Sequence, residues 1–161
     1  MSDEERDDQD ESESPEERLF NRQEAECLLP ELGNLLSDAR EKKSRAESIE
    51  REFGQIQNRI LLYGGIIPPH AQLAERKLER DSLVTAIRQR ISDVESNGCV
   101  VKDLDQGLVD FPSIVNGEQV YLCWKLGEEH ILYWHRTDEG FAGRKPLERG
   151  RDASGESPKP N

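Results

Sequence analysis

Cysteine, aromatic residues and apolar residues are all sparse in this 161-residue chain. Its three cysteines, at positions 27, 99 and 123, include no Cys-x-x-Cys pair and make no even-numbered disulfide framework. That excludes the disulfide-stapled secreted scaffolds and the standard structural zinc patterns, and it makes a reducing cytoplasm the expected compartment. Apolar residues are 34% of the chain and charged residues 35%, so the core must be small or confined to one part. No apolar run approaches the ~20 residues of a membrane span, and the acidic start is unlike a basic secretory leader. No membrane association is expected. Basic charge is short as well: the formal net charge is −12, which leaves nucleic acid without electrostatic support as a partner. There is no Gly-x-Ser-x-Gly, no His-Glu-x-x-His and no phosphate-binding glycine loop.

The acidic excess is unevenly placed. Residues 1–18 hold ten acidic side chains against two basic ones, and so read as a solvated, disordered acidic tail. The charged, Ser/Gly/Pro-bearing segment 148–161 reads as a second disordered tail. Between them lies a body that is only mildly acidic.

Asn21-Arg22-Gln23-Glu24 has the form of a capping box, with Phe20 before it as a staple residue. Heptad patterning follows. One seam reads Ala25, Leu32, Ala39, Ala46, Phe53, Ile60 and the other Leu28, Leu35, Lys42, Ile49, Ile56, Tyr63. Eleven of these twelve positions are apolar or aromatic, which predicts a long helix burying one stripe. Pro30 removes a helix donor, so a break or kink is predicted there, with a short helix over 22–29 and a long one over 31–62. Gly64-Gly65-Ile66-Ile67-Pro68-Pro69 must turn the chain near 63–69. A second helix is predicted over 70–97, with Leu73, Val84, Ile87, Ile91 and Val94 on its stripe but Lys77 and Arg80 there too. At ~1.5 Å per residue the two long helices match in length, as an antiparallel hairpin requires.

From Cys99 the apolar period changes from helical to alternating. Strands are predicted over 99–102, 108–111, 119–125 and 131–136, separated by turns at Asp105-Gln106-Gly107, Asn116-Gly117-Glu118 and Gly127-Glu128-Glu129. A Gly-rich closing loop over 137–147 completes the unit. The expected fold is therefore α+β: a long, coiled-coil-like helical hairpin over 19–98 and a small antiparallel β-meander over 99–147.

Chemistry, if present, would sit on that sheet. With a two-residue turn, Cys123 shares a face with His130 and Trp134. With the three-residue turn it opposes Tyr133 and shares a face with Ile131 and His135. Either way one histidine lies diagonal to the thiol, ~7–8 Å away at the backbone. Cys123, His135, His130 and Cys99 are thus the candidate metal ligands, although their spacing matches no standard zinc pattern. The same thiol with a histidine and an aspartate has the residue types of a nucleophilic triad. A packed strand cysteine and a hydrogen-bonded histidine are the bland account of both. Asp103-x-Asp105-x-Gly107-x-x-Asp110 suggests a calcium loop but lacks the EF-hand ligands at the right steps. Gly140-Phe141-Ala142-Gly143-Arg144-Lys145 offers an anion site, or else Arg144 ties the loop to Glu128 or Asp110. Arg144, Asp110, Glu128, Trp124 and Trp134 are the candidate ligand-binding residues. Tyr121, Trp124, Tyr133, Trp134 and Phe141 offer a stacking platform for single-stranded nucleic acid, which the acidic balance argues against, or else supply the core of the small sheet.

One family resemblance is carried by a long ordered series. It comprises Leu19-Phe20, Glu24-Ala25, Leu28-Leu29-Pro30, Val101-Lys102-Asp103, Gly107-Leu108-Val109-Asp110-Phe111-Pro112, Val120-Tyr121-Leu122-Cys123-Trp124, Leu126-Gly127-Glu128, Trp134-His135 and Gly140-Phe141-Ala142-Gly143-Arg144. Over residues 19–147 the chain resembles an uncharacterised prokaryotic family, domain of unknown function 2203. Asn21 stands where that family would have Thr, an exchange of one N-capping residue for another. The resemblance implies a cytosolic bacterial or archaeal-type protein and no particular activity.

The periodic apolar content is architectural, and no reactive constellation has a standard spacing. The expectation is a non-catalytic cytoplasmic protein acting through protein–protein interaction or self-association of its hairpin, with no cofactor. The alternative is a metal- or anion-binding protein, or an enzyme, with its site on the C-terminal sheet.

Overall fold

The computed structural model describes residues 17–64 and 69–147. The expected tails, apart from Glu17 and Arg18, and most of the expected 63–69 turn lie outside them. Arg18, placed with the acidic tail by its composition, instead donates from Nη1 to the Asn97 carbonyl at 3.0 Å.

Helix α1 (Arg22–Tyr63) starts where the capping box puts it: Glu24 N–H donates to Asn21 Oδ1 at 2.8 Å, and Asn21 N–H to Glu24 Oε2 at 3.0 Å. It then runs as one helix through Pro30, which corrects the predicted division into two pieces. Pro30 is exposed, so the carbonyl it leaves without a donor lies on the solvent side. Ala25, Leu29, Leu32 and Leu36 are buried on either side of it, and that shared burial carries the helix across the lost hydrogen bond.

Helix α2 (His70–Glu95) packs back along α1. Cross-helix ion pairs set the alignment: Arg90–Asp38 at 2.7 Å, Arg45–Glu79 at 2.7 Å, Arg80–Glu50 at 2.6 Å and Arg76–Glu52 at 3.5 Å. In this register α2 ends opposite the region of Gly33. The first turns of α1 thus lie on the sheet without α2, and the remainder forms the hairpin. The predicted seam holds at Ala25, Leu32, Ala39, Ala46 and Ile49. Early in the helix, however, Leu29 and Leu36 are the buried residues, while Leu28 and Leu35 sit at the core's margin. The stripe rotates because its first part faces the sheet and its later part faces α2.

Five antiparallel strands follow in sequence order, β1 (Val100–Asp103), β2 (Leu108–Val115), β3 (Glu118–Lys125), β4 (Tyr133–Arg136) and β5 (Lys145–Pro146). The meander is as expected, with β5 and a 3-10 turn (Phe141–Gly143) inside the segment read as a loop. Asn116 and Gly117, at φ 55° and 80°, form the two-residue turn between Val115 and Glu118. Hydrogen-bonded pairs then alternate back from Val115↔Glu118, which makes Pro112↔Tyr121 a non-bonded pair. Pro112 therefore costs β2 no ladder bond to β3, and β2 runs four residues past the predicted end at 111. The Pro112 carbonyl points the other way and accepts from Phe20 N–H at 2.7 Å.

One face of the sheet packs on the helices. Val109, Phe111, Leu122 and Trp124 meet Phe20, Ala25, Leu29, Leu32, Leu36 and Val94 there, with Phe20 edge-on to Phe111 at 5.3 Å. Among the described residues, the closing segment after β4 lies over the opposite face.

Candidate functional site

The alternation of side chains along β2, β3 and β4 places Asp110, Cys123 and His135 together on the face turned away from the helices. Asp110 opposes Cys123 across a non-bonded pair, Cys123 opposes Tyr133, and Tyr121 opposes His135, so His135 lies diagonal to Cys123. Of the two turn registers left open by the sequence, this is the one that pairs Cys123 with His135. Ile131 does not share that face, because the chain before β4 swings it into the helix-packed core.

All three side chains are buried, and one ligand atom from each lies within 4.8 Å of the other two. His135 Nε2 is 2.9 Å from Asp110 Oδ2, and its Nδ1 is 2.8 Å from the Arg136 carbonyl oxygen. A carbonyl can only accept, so Nδ1 carries a hydrogen and one further proton lies between Nε2 and the carboxyl group. Burial, reinforced by the Asp110 carboxylate, pushes the Cys123 thiol up to about 12. The thiol is therefore protonated at neutral pH, the opposite of an activated nucleophile. The three groups line a cavity of about 140 Å³ together with Lys102, Glu139, Gly140 and Phe141.

The other candidates fall elsewhere. Cys99 is buried at the end of α2, where its Sγ reaches the Val94 carbonyl at 3.2 Å and burial raises it to about 11. His130 is exposed, 3.6 Å from Glu26 Oε2. Arg144 Nη2 lies 2.9 and 3.0 Å from the two Glu128 oxygens and 3.3 Å from the Cys123 carbonyl, with its guanidinium over the rings of Tyr133 and Phe141. It is tied to Glu128, as the structural account of the loop requires, and its charge is already neutralised. Trp124 Nε1 donates to the Glu128 carbonyl at 2.8 Å. Trp124 and Trp134 pack on the helix side and Tyr121 and Tyr133 on the other, so no common stacking platform forms. Of the acidic series, Asp103 accepts from Gln106 N–H at 3.0 Å, Asp105 pairs with Lys43, and Asp110 is on the buried cluster. They do not converge.

Sequence reasoning placed Gly140 only in a candidate anion loop and did not single out two further cavity residues, Lys102 and Glu139. Lys102 reaches the cavity because Val100 pairs with Asp110, a register that includes an irregularity after Val101. Glu139 arrives through the fold of the closing segment, where it bonds Lys145 Nζ at 2.9 Å. Neither carries a periodic signal.

The family described as an uncharacterized conserved protein (DUF2203) matches residues 18–147, which is most of the chain and includes the whole cluster. The chain belongs to this family. No curated protein and no solved structure matches it.

A second feature lies at the far end of the hairpin. Beyond Ile49 no residue of α1 is buried, and on α2 only Val94 is. Leu61 and Leu62 are 76% exposed and Tyr63 75%. Two grooves flank the line between the helices here and share Phe53, Ile56 and Leu73. One is rimmed by Glu52, Glu75 and Glu79 with Arg76, the other by His70, Lys77 and Arg80 with Ile60 and Leu61. The charged residues Lys77 and Arg80, out of place on a buried stripe, thus stand beside the second of these grooves. No described helix is long and apolar enough to cross a membrane.

Proposed function

We propose that this protein acts by association, its hairpin end pairing with that of a second copy. The observation that carries this reading is the exposed apolar end centred on Leu61 and Leu62. Two helices alone cannot enclose their apolar stripes over the last ~21 Å of α1 beyond Ile49. Two such hairpins side by side make a four-helix arrangement that can. Beyond the ion pairs that Glu52, Glu79 and Arg80 make within the hairpin, one rim carries Glu75 and the other Lys77, and a two-fold pairing can set each against its opposite in the other copy. The raised Cys123 thiol favours binding over nucleophilic catalysis as the mode of action.

Light scattering on the full chain after size exclusion tests the proposal. Twice the 18.4 kDa chain mass is expected, falling to one chain mass in Leu61→Ser/Leu62→Ser with the helix content unchanged. A chain that stays monomeric at the highest soluble concentration overturns it.

A further inference from the structure

We propose that Asp110, Cys123 and His135 form a binding site for one divalent transition cation of the zinc class, with a fourth position open to water or a small ligand. This is independent of the hairpin pairing, which involves the other end of the molecule.

The donor set is one carboxylate oxygen, one sulfur and one imidazole nitrogen, the mixture that borderline-soft Zn²⁺ and Co²⁺ accept and that Mg²⁺ and Ca²⁺ do not. The placement suits such an ion. Bonds of ~2.0–2.1 Å to nitrogen and oxygen imply a tetrahedral edge of ~3.3 Å. The 2.9 Å between Asp110 Oδ2 and His135 Nε2 is already close to that edge. The sulfur lies within 4.8 Å of both, so small side-chain rotations bring it to bonding distance. The three residues stand on the adjacent strands β2, β3 and β4, where Asp110 and Cys123 are paired on both sides and His135 is paired with Tyr121.

The surrounding groups are those a metal site needs. His135 Nδ1 donates to the Arg136 carbonyl, which orients the ring and leaves Nε2 to face an ion. Arg144 Nη2 holds the Cys123 carbonyl. A thiolate and a carboxylate together balance a divalent charge, so an occupied site adds no net charge to the interior. The cavity of about 140 Å³ beside the three ligands supplies room for the fourth position. Lys102 and the Gly140 main chain border it, which gives a small anion or a carbonyl oxygen a place opposite the metal.

The test uses the full chain, purified without a histidine tag and freed of metal by chelator dialysis. Addition of Co²⁺ is expected to produce a thiolate-to-cobalt charge-transfer band that saturates at one ion per chain and is displaced by Zn²⁺. Cys123→Ser should abolish the band, while Cys27→Ser and Cys99→Ser keep it. Asp110→Asn and His135→Gln should each weaken binding by more than the ~10–100-fold that loss of an outer-sphere partner costs. Wild-type protein that takes up no stoichiometric cobalt or zinc at micromolar metal overturns the proposal, as does a sulfur-to-cobalt band that survives in folded Cys123→Ser. The wild-type measurement decides the matter even where a variant fails to fold.

Discussion

Glu26 Oε1, on the second turn of α1, accepts the main-chain N–H of Ile131 at 2.9 Å across 105 residues of sequence. The same oxygen takes Arg22 Nε at 2.9 Å, and Oε2 faces His130. One carboxylate thus holds the segment between β3 and β4 against the helix and lets Ile131 enter the core. Glu26→Ala leaves a part-buried N–H without a partner and is expected to cost ~1–3 kcal/mol in urea unfolding. Loss of hydrogen-exchange protection at Ile131, ahead of the rest of the sheet, locates the effect.

Acid should loosen the same contacts. Burial pushes Glu26 up, but the bonds from Arg22 and Ile131 and the nearby positive charges outweigh it and hold the folded-state pKa below 4.5. Asp38 is lowered by Lys42 and Arg90, Glu79 by Arg45 and Arg76, and Glu139 by Lys145 and the Arg136 N–H. A carboxyl depressed in the folded state contributes stability above its unfolded pKa and loses it as pH falls through the lower folded value. Melting temperatures are therefore expected to be flat down to ~pH 5 and to fall steadily below it. Stability that rises as pH drops through that window would contradict these assignments.

The thiols should divide two ways. Cys27 is exposed, whereas Cys99 and Cys123 are buried and raised to about 11 and about 12. In metal-free native protein at neutral pH, an aromatic disulfide reagent should titrate one thiol rapidly and the other two only after denaturation. Rapid modification of Cys123 in folded protein would show that its face is open.

Two helix positions should accept stabilising substitutions. A Cβ at Gly54 meets nothing within 4 Å, so Gly54→Ala is expected to add ~1 kcal/mol through helix propensity alone. Pro30→Ala restores the donor to the Glu26 carbonyl at an exposed site and is expected to add up to ~3 kcal/mol. Thermal melts of each variant give the sign.

Gly107 has the opposite sign. Its φ of +67° suits a turn, and an added Cβ would lie 2.5 Å from Leu126 Cβ. Gly107→Ala is expected to lose ~1–3 kcal/mol, the cost of a non-glycine residue held in that conformation plus the displaced leucine. A neutral effect on the unfolding midpoint would show that the turn can rearrange.

The amino-acid sequence by itself determined the elements and their order. Capping at Asn21, the heptad run from Ala25, the Gly-Gly and Pro-Pro stop after Tyr63 and the Asn116-Gly117 turn all act through neighbours a few residues away, so their effects are readable in a linear string. It also placed the candidate chemistry on the C-terminal sheet, with Cys123, His135 and Asp110 among a wider set of candidates. Tertiary structure decided the rest. Pro30 stays inside a helix because the sheet buries both its flanks, and Pro112 stays inside a strand because the β2–β3 register turns its missing donor outward. His135 rather than His130 joins Cys123 because Glu26, a helix away, draws the β3–β4 connection to α1. The first and last of those outcomes depend on partners more than fifty residues distant, which no local pattern shows, whereas the place of Pro112 follows from the pairing that the Asn116-Gly117 turn starts.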